Sequence, residues 1–395
     1  MTGKRTSICT AMVLVATCVG TAAAQSLTPM EMLGKHLFFD QNLSTPPGQA
    51  CAACHAPEVG FTGPISEVNA HGAVYEGAVL GRFGNRKPPS AAYAGDSPVL
   101  HFDEDEELWI GGAFWDGRAT GWTLGDPLAE QALGPFLNPL EQDNPNARLV
   151  CFKVSQSEYA PIYEAVFGQP VDYVKNVAQT YVNIGRAISA YEHSAEVNPF
   201  TSKYDYYLAG LVDLTPQEAW GLDLFEDENK GNCAACHLSQ PGAGGEPPLF
   251  TDFTYDNLGV PKNPENPFYD MPRKWNPAGY DWIDLGLGGF LAGTADYADD
   301  APDNYGKQKV PTLRNADKRP YPDFVKAYTH NGFFKSLEEI THFYNTRDVP
   351  GEDWPEPEVP ENVNTDELGD LGLTLEEEAA IVAFMKTLSD GFVLP

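Results

Sequence analysis

The string Cys-Ala-Ala-Cys-His occurs twice, as Cys51-Ala-Ala-Cys54-His55 and as Cys233-Ala-Ala-Cys236-His237, and each copy follows the same stretch of chain. Thr28-Pro-x-Glu31-x-x-Gly34-x-x-Leu37-Phe38-x-Asp40 recurs as Thr215-Pro-x-Glu218-x-x-Gly221-x-x-Leu224-Phe225-x-Asp227. A repeat of this kind is one structural unit used twice. With 395 residues the chain has room for two units of ordinary size. The boundary is expected near residue 205, giving an N-terminal unit over 25–205 and a C-terminal unit over 206–395.

Two thiols in this spacing can form thioethers with the vinyl groups of one haem, while the adjacent His ligates its iron. A zinc site would need four ligands, which these knuckles could supply only by meeting across the two halves. A thiol–disulfide couple would have no need of His in both copies. The reading is therefore two covalently attached haem c groups. Cys51, Cys54, Cys233 and Cys236 are the attachment points, and His55 and His237 the iron ligands.

Residues 1–24 read as a secretory signal. Lys4 and Arg5 supply the positive start, 8–20 is a short apolar run, and Ala22-Ala23-Ala24 offers a cleavage site. The run is too short to span a bilayer, and Thr17 is a poor residue before a lipid-modified Cys18. No other stretch reads as transmembrane. The expected location is the periplasm, with the cell surface or outer membrane as the alternative. The formal charge of −31, from 56 acidic against 25 basic residues, argues against a nucleic-acid partner. It favours encounter with basic partners and solubility outside the cell. Cys151 stands alone and is expected to be a buried structural thiol.

Thr28 and Glu31, and again Thr215 and Glu218, can form capping boxes, with Pro29 and Pro216 at the first helical position. Ser336-Leu-Glu-Glu339 and Thr374-Leu-Glu-Glu377 predict two further helices opened in the same way. Apolar residues at helical spacing predict a long amphipathic helix over 172–193. The Pro-, Gly-, Asn- and Asp-rich stretches 238–311 and 349–366 predict long loops. Few stretches alternate like strands, so the class is mainly α with much irregular chain.

Further groups of residues extend the reading. Phe114-Trp115-Asp116-Gly117-Arg118-Ala119 is followed by Glu130-Gln131-Ala132-Leu133-Gly134-Pro135 and then Glu141. Further on come Val310-Pro311-Thr312-Leu313-Arg314-Asn315, Tyr328-Thr-His330-Asn-Gly332 and Ser336-Leu-Glu-Glu339. In this order, and over nearly the whole mature chain, the sequence resembles the bacterial dihaem cytochrome c peroxidase and MauG family. Its length, acidity and loops look closer to the MauG-like and surface-associated methanotroph peroxidases than to the compact respiratory enzymes.

The resemblance implies two cytochrome c-like haem domains with long irregular loops, and a division of labour between the haems. The N-terminal haem, on His55, would meet hydrogen peroxide, with Gln131, Pro135 and Glu141 at the family spacing for its distal pocket. A buried carboxyl suits that place because cleaving the O–O bond requires moving a proton. Respiratory members fill the sixth position of this haem with a loop His. Here that loop aligns with 79–82, which holds no His. His71 is the nearby candidate, so an open site is expected with His71 an ordinary loop residue. The C-terminal haem, on His237, would take Tyr344, in Thr341-His342-Phe343-Tyr344-Asn345, as its distal ligand. A phenolate lowers the reduction potential where a Met would raise it. Trp115 matches a Trp that relays electrons between the haems.

Two positions depart from the pattern. Gly231 stands where the MauG branch carries a Trp two residues before the second haem motif, which puts its route to a protein substrate in doubt; Trp220 is the nearest substitute. Lys87 aligns with the Asn that helps hold a calcium ion between the domains. Asn85 lies close by, and the carbonyls of Lys309 and Pro311 are still available, so either calcium or the Lys87 ammonium fills that place. The resemblance thus implies a peroxide-dependent oxidoreductase drawing electrons from aromatic residues of a partner protein. Its alternatives are a respiratory peroxidase fed by a small cytochrome or cupredoxin, and an electron-transfer cytochrome without catalysis. In the last case the pocket of Gln131, Pro135 and Glu141 would have no purpose.

Overall fold

The structure is a computed structural model that describes residues 26–395; the signal reading for 1–24 lies outside the described residues. Eleven α-helices occur among them: α1 Pro29–Phe39, α2 Ser66–Ala70, α3 Pro127–Leu137, α4 Ala147–Ser155, α5 Ala160–Phe167, α6 Val177–Glu192, α7 Lys203–Leu208, α8 Pro216–Glu226, α9 Gly286–Ala292, α10 Leu337–Thr346 and α11 Leu375–Lys386. Strand is confined to two antiparallel ribbons, β1 (His101–Asp103) with β2 (Leu108–Ile110), and β3 (Tyr255–Asp256) with β4 (Gln308–Lys309). Among the described residues no helix is long and apolar enough to cross a membrane.

The helix starts follow their capping chemistry. Glu31 and Glu218 each accept the backbone N–H of the N-cap Thr, at 2.6 and 2.7 Å, while Thr28 and Thr215 accept from the third helical residue. Thr374 and Glu377 repeat the arrangement at α11. At α10 Ser336 caps Glu339, but the Glu339 carboxylate takes the N–H of Lys335 instead, so the box is shifted by one residue. The helix expected from 172 begins only at Val177. The Asp172 carboxylate accepts the N–H groups of Val174 and Lys175, which turns the chain there and leaves Val174 exposed.

The repeat is visible as packing. α1 crosses α6 so closely that a Cβ on Gly34 would lie 1.8 Å from the Ala187 carbonyl oxygen. α8 crosses α11 in the same way, with a Cβ on Gly221 falling 1.9 Å from the Ala380 oxygen. One apolar core gathers Leu33, Leu37, Phe38, Phe136, Ile184, Ile188 and Tyr191, and includes Cys151, fully buried in α4 with its thiol 3.8 Å from the Val177 oxygen. A second gathers Tyr204, Phe225, Phe250, Ile381, Phe384 and Leu388. The chain passes from one to the other between Phe200, which packs on the first, and Tyr204, which belongs to the second. α7 therefore runs through residue 205, where the Asp205 carboxylate holds the fully buried Arg314 guanidinium at 2.9 and 3.1 Å. The stretch 238–311 is mostly loop, but α9 and the β3–β4 ribbon bring Leu287, Leu291 and Tyr255 into a third small core with Trp109.

Candidate active site

Each Cys-x-x-Cys-His string forms a single tight turn, with the His N–H bonded to the carbonyl of the first Cys, at 3.0 Å for His55 and 2.9 Å for His237. Each turn lines a cavity. The two cavities enclose about 1170 Å³ on the N-terminal side and 1490 Å³ on the C-terminal side, space at their mouths included.

The residues suit a haem c group in each. All four thiols are free of disulfides, and burial pushes them far above the ordinary thiol range, so they are not poised as reactive thiolates. His55 Nδ1 lies 3.0 Å from the Pro89 oxygen and 3.2 Å from the Phe61 oxygen, and His237 Nδ1 lies 2.8 Å from the Phe250 oxygen. Carbonyls only accept, so Nδ1 carries the hydrogen and Nε2 is left with its lone pair for a metal. Burial lowers the proton affinity of both rings, His55 to about 4, so both are neutral and ready to ligate.

In the N-terminal cavity α3 contributes Gln131 and Pro135, and the turn after α3 contributes Glu141. Pro135 has no N–H to offer the carbonyl of Gln131, four residues earlier, yet the helix continues to Leu137. Burial pushes the Glu141 carboxyl up, and Arg118 and an Asn138 side-chain hydrogen bond only partly oppose it. The turn carrying Glu141 is clamped by the 79–82 loop. Ala78 N–H donates to the Glu141 oxygen at 2.6 Å, and Arg82 reaches Pro139 O and Asp143 Oδ1, both at 3.0 Å. His71 lies on the surface between Glu67 and Glu265, at 3.3 and 3.2 Å, and is not part of the cavity wall.

In the C-terminal cavity α10 presents Tyr344 to the space that also holds Cys233, Cys236 and His237. Burial first, then the neighbouring Cys236 and Asp256, keeps its phenol protonated well beyond the ordinary range. A ligating cation would have to displace that proton.

Trp115 lines both cavities. It is buried; its indole N–H donates to the Lys87 oxygen at 2.8 Å, and its own carbonyl accepts from the Lys309 N–H at 2.8 Å. Lys309, Val310, Pro311 and Thr312 complete the shared wall.

Sequence reasoning pointed to Lys87 in this seam but missed the amino groups of Lys309 and Lys326. The Lys87 ammonium donates to Pro88 O at 3.1 Å and to Thr62 Oγ1 at 3.4 Å, and stands 5.9 Å from the Trp115 ring centre. Lys309 Nζ bonds the oxygens of Gly111 and Phe253, and Lys326 Nζ those of Val59, Asn315 and Lys318. Burial lowers Lys87 to about 8 and Lys309 to about 7. Calcium does not fit this arrangement, because the Lys87 and Lys309 amino groups already hold the carbonyl oxygens there. Among the described residues no group of three or more His, Cys, Asp or Glu side chains gathers to hold a metal ion. At Gly231 a Cβ would lie 2.5 Å from the Leu224 oxygen, so the backbone excludes any side chain, and Trp220 stands exposed on α8.

Comparison with known proteins agrees with this geometry. Residues 28–213 match the family model described as di-haem cytochrome c peroxidase. The methylamine utilization protein MauG of Paracoccus denitrificans is 34% identical over 371 residues, spanning 91% of this chain and 88% of that protein. Cytochrome-c peroxidase IdrP2 of Denitromonas iodatirespirans is 27% identical over 91% of this chain and 81% of its own length. The crystal structure of the diheme peroxidase BthA from Burkholderia thailandensis superposes with a TM-score of 0.78 at 31% identity, covering 93% of this chain and 88% of that one. The chain belongs to the dihaem cytochrome c peroxidase and MauG family, enzymes that carry two haems.

Proposed function

We propose that this chain reduces hydrogen peroxide in the N-terminal cavity and draws the electrons through the C-terminal one. Haem on Cys51, Cys54 and His55 supplies the redox iron that meets peroxide, and haem on Cys233, Cys236, His237 and Tyr344 supplies the second redox centre. The two haem domains meet near residue 205, and the protein works outside the cytoplasm, in the periplasm or at the cell surface.

The observation that carries this reading is that Trp115 stands in the walls of both cavities, with Glu141 and Gln131 in one and Tyr344 in the other. Glu141, protonated more readily than an exposed carboxyl, holds and moves the proton that O–O cleavage requires. The Gln131 side chain offers a neutral donor and acceptor to orient peroxide. Pro135 and the clamped 79–82 loop keep that pocket in shape. Trp115, fixed by its bond to the Lys87 oxygen, offers a rigid aromatic relay between the cavities.

Tyr344 favours the MauG-like version, in which the electrons come from aromatic side chains of a partner protein. The packing around Gly231 favours the second reading, a small cytochrome or cupredoxin as donor, because it leaves no room for the relay Trp of that branch. Mixing the fully oxidised holoprotein with peroxide separates the readings. Prompt spectral change at both haems is the expected result. A requirement for prior reduction points to the respiratory type, and no change at all to an electron carrier.

A further inference from the structure

Glu192, the last residue of α6, is 4% exposed and lines the N-terminal cavity together with Cys51 and His55. Its Oε2 is buried without a hydrogen-bond partner. Burying a carboxyl in this way is costly, and the fold does not require it. The register of the repeat makes that plain. Gly34 meets Ala187 and Tyr191 as Gly221 meets Ala380 and Phe384. The residue after Tyr191 is Glu192, and the residue after Phe384 is Met385, buried in the second core. The same slot is apolar in one half and acidic in the other.

A set of hydrogen-bonded polar groups lies one turn back on α6 from Glu192 and reaches the surface. Ser189 Oγ donates to Asp126 Oδ2 at 2.9 Å and lies 3.4 Å from His193 Nδ1. His193 is exposed, its Nδ1 2.7 Å from the Ser189 oxygen and its Nε2 3.0 Å from the Gly95 oxygen. Asp126 caps α3, the helix that carries Gln131 and Pro135. The titratable groups around Glu192 are Asp126 on that cap, Cys51 on the haem motif and His193 on its own helix, while Glu141 faces Cys51 and Cys54 from the opposite turn. No Lys or Arg side chain is among them. Burial, reinforced by Asp126, pushes the Glu192 carboxyl up to about 8, so at neutral pH it holds its proton.

We propose that Glu192 is the proton-loading group of the N-terminal cavity, refilled from solvent through His193, Ser189 and Asp126. Reducing one hydrogen peroxide to two waters consumes two protons as well as two electrons from the protein donor, and the protons must enter a buried space. Glu141 holds only one at a time. Glu192 releases its O–H proton into the cavity and regains one from the Asp126 side. This role rests on peroxide being reduced in that cavity.

The test uses full-length holoprotein, as wild type, Glu192→Gln, Glu192→Met and His193→Gln. The infrared spectrum of the resting wild type should contain a protonated-carboxyl band that shifts in D₂O and titrates near pH 8, and that both Glu192 variants lack. The peroxide reaction of both Glu192 variants should slow by about 10²-fold or more and lose the wild-type alkaline limb, with His193→Gln intermediate. The Met variant places in this slot the residue the other half already accommodates, so it guards against a folding failure in the Gln variant. Absence of the band in wild type, or unchanged rate and pH profile in both variants, overturns the proposal. If the band is present but wild type does not react with peroxide, the peroxide reading fails and this role falls with it.

Discussion

Tyr344 reaches its cavity as a neutral phenol, held so by burial and by the neighbouring Cys236 and Asp256. As a ligand it has to give up that proton, and the resulting anion stabilises the oxidised iron. Tyr344→Phe should therefore raise the reduction potential of the C-terminal haem by a measurable part of the ~0.8 V range that axial ligands control, and change its visible spectrum. Spectroelectrochemistry of the variant checks this; an unchanged potential and spectrum would remove the ligand assignment. Glu141→Gln keeps the size and hydrogen-bonding shape of its side chain but cannot carry a proton. Its reaction with peroxide should fall by about 10²–10⁴-fold with little change in stability, read by stopped-flow mixing and a thermal melt. Glu192 gives a stability signature of its own. Its folded pKa near 8 stands above the ordinary 4.5, so between those values the folded chain binds a proton that the unfolded chain does not. Stability should decline as pH rises through that window and level off above it. Denaturant unfolding at a series of pH values should show the slope in wild type and a flatter one in Glu192→Gln. The two Cys-x-x-Cys-His turns that line the cavities were legible in the sequence because each is contiguous. Glu192 was not, because its place in the cavity depends on how α6 is rotated against α1.

At the scale of elements, what the sequence made plain was where helices begin. A capping box acts over four residues, so Thr28, Thr215 and Thr374 could be read without knowing the fold. The 172–193 helix was read too long because apolar spacing says nothing about Asp172, whose side chain satisfies the backbone in a turn. The loops were read as loops, but not the way they interlock, since Thr251, Phe253 and Lys309 from the second half help to wall the first cavity. The repeated helix crossing is the element on which both cavities depend. Gly34→Ala and Gly221→Ala each place a methyl group inside a neighbouring carbonyl's contact distance. Each should cost at least the 1–3 kcal/mol typical of overpacking, seen as a lower melting temperature. Gly34→Ala should disturb mainly the spectrum of the His55 haem, and Gly221→Ala mainly that of the His237 haem. Equal disturbance of both haems by either change would mean that the two crossings do not support their cavities separately.

Across the whole molecule, the two halves are joined by a seam of lysine side chains in a chain of net charge −31. Lys87, Lys309 and Lys326 all line the C-terminal cavity, Lys87 and Lys326 buried and Lys309 half-buried, and none makes a salt bridge; each binds oxygen atoms of the backbone, with Lys87 adding the Thr62 hydroxyl. A divalent cation does the same work in a metal site, drawing in carbonyl oxygens and fixing the segments that bear them. Lysine does it without dissociating, and Lys87 bonds the Pro88 oxygen next in sequence to the carbonyl on which the Trp115 indole N–H rests. The protein should therefore contain no stoichiometric calcium, and prolonged treatment with a strong chelator should leave its spectrum and its peroxide reaction unchanged. Lys87→Met removes the charge while keeping most of the volume. It should slow electron sharing between the haems, visible as a lag between their spectral changes after peroxide, and added calcium should not restore it because Met offers no oxygen ligand. Lys87→Asn supplies such a ligand, and this variant should become responsive to calcium. One calcium per chain in the purified wild type, or loss of its reaction on chelation, would show that the ammonium has not taken the ion's place.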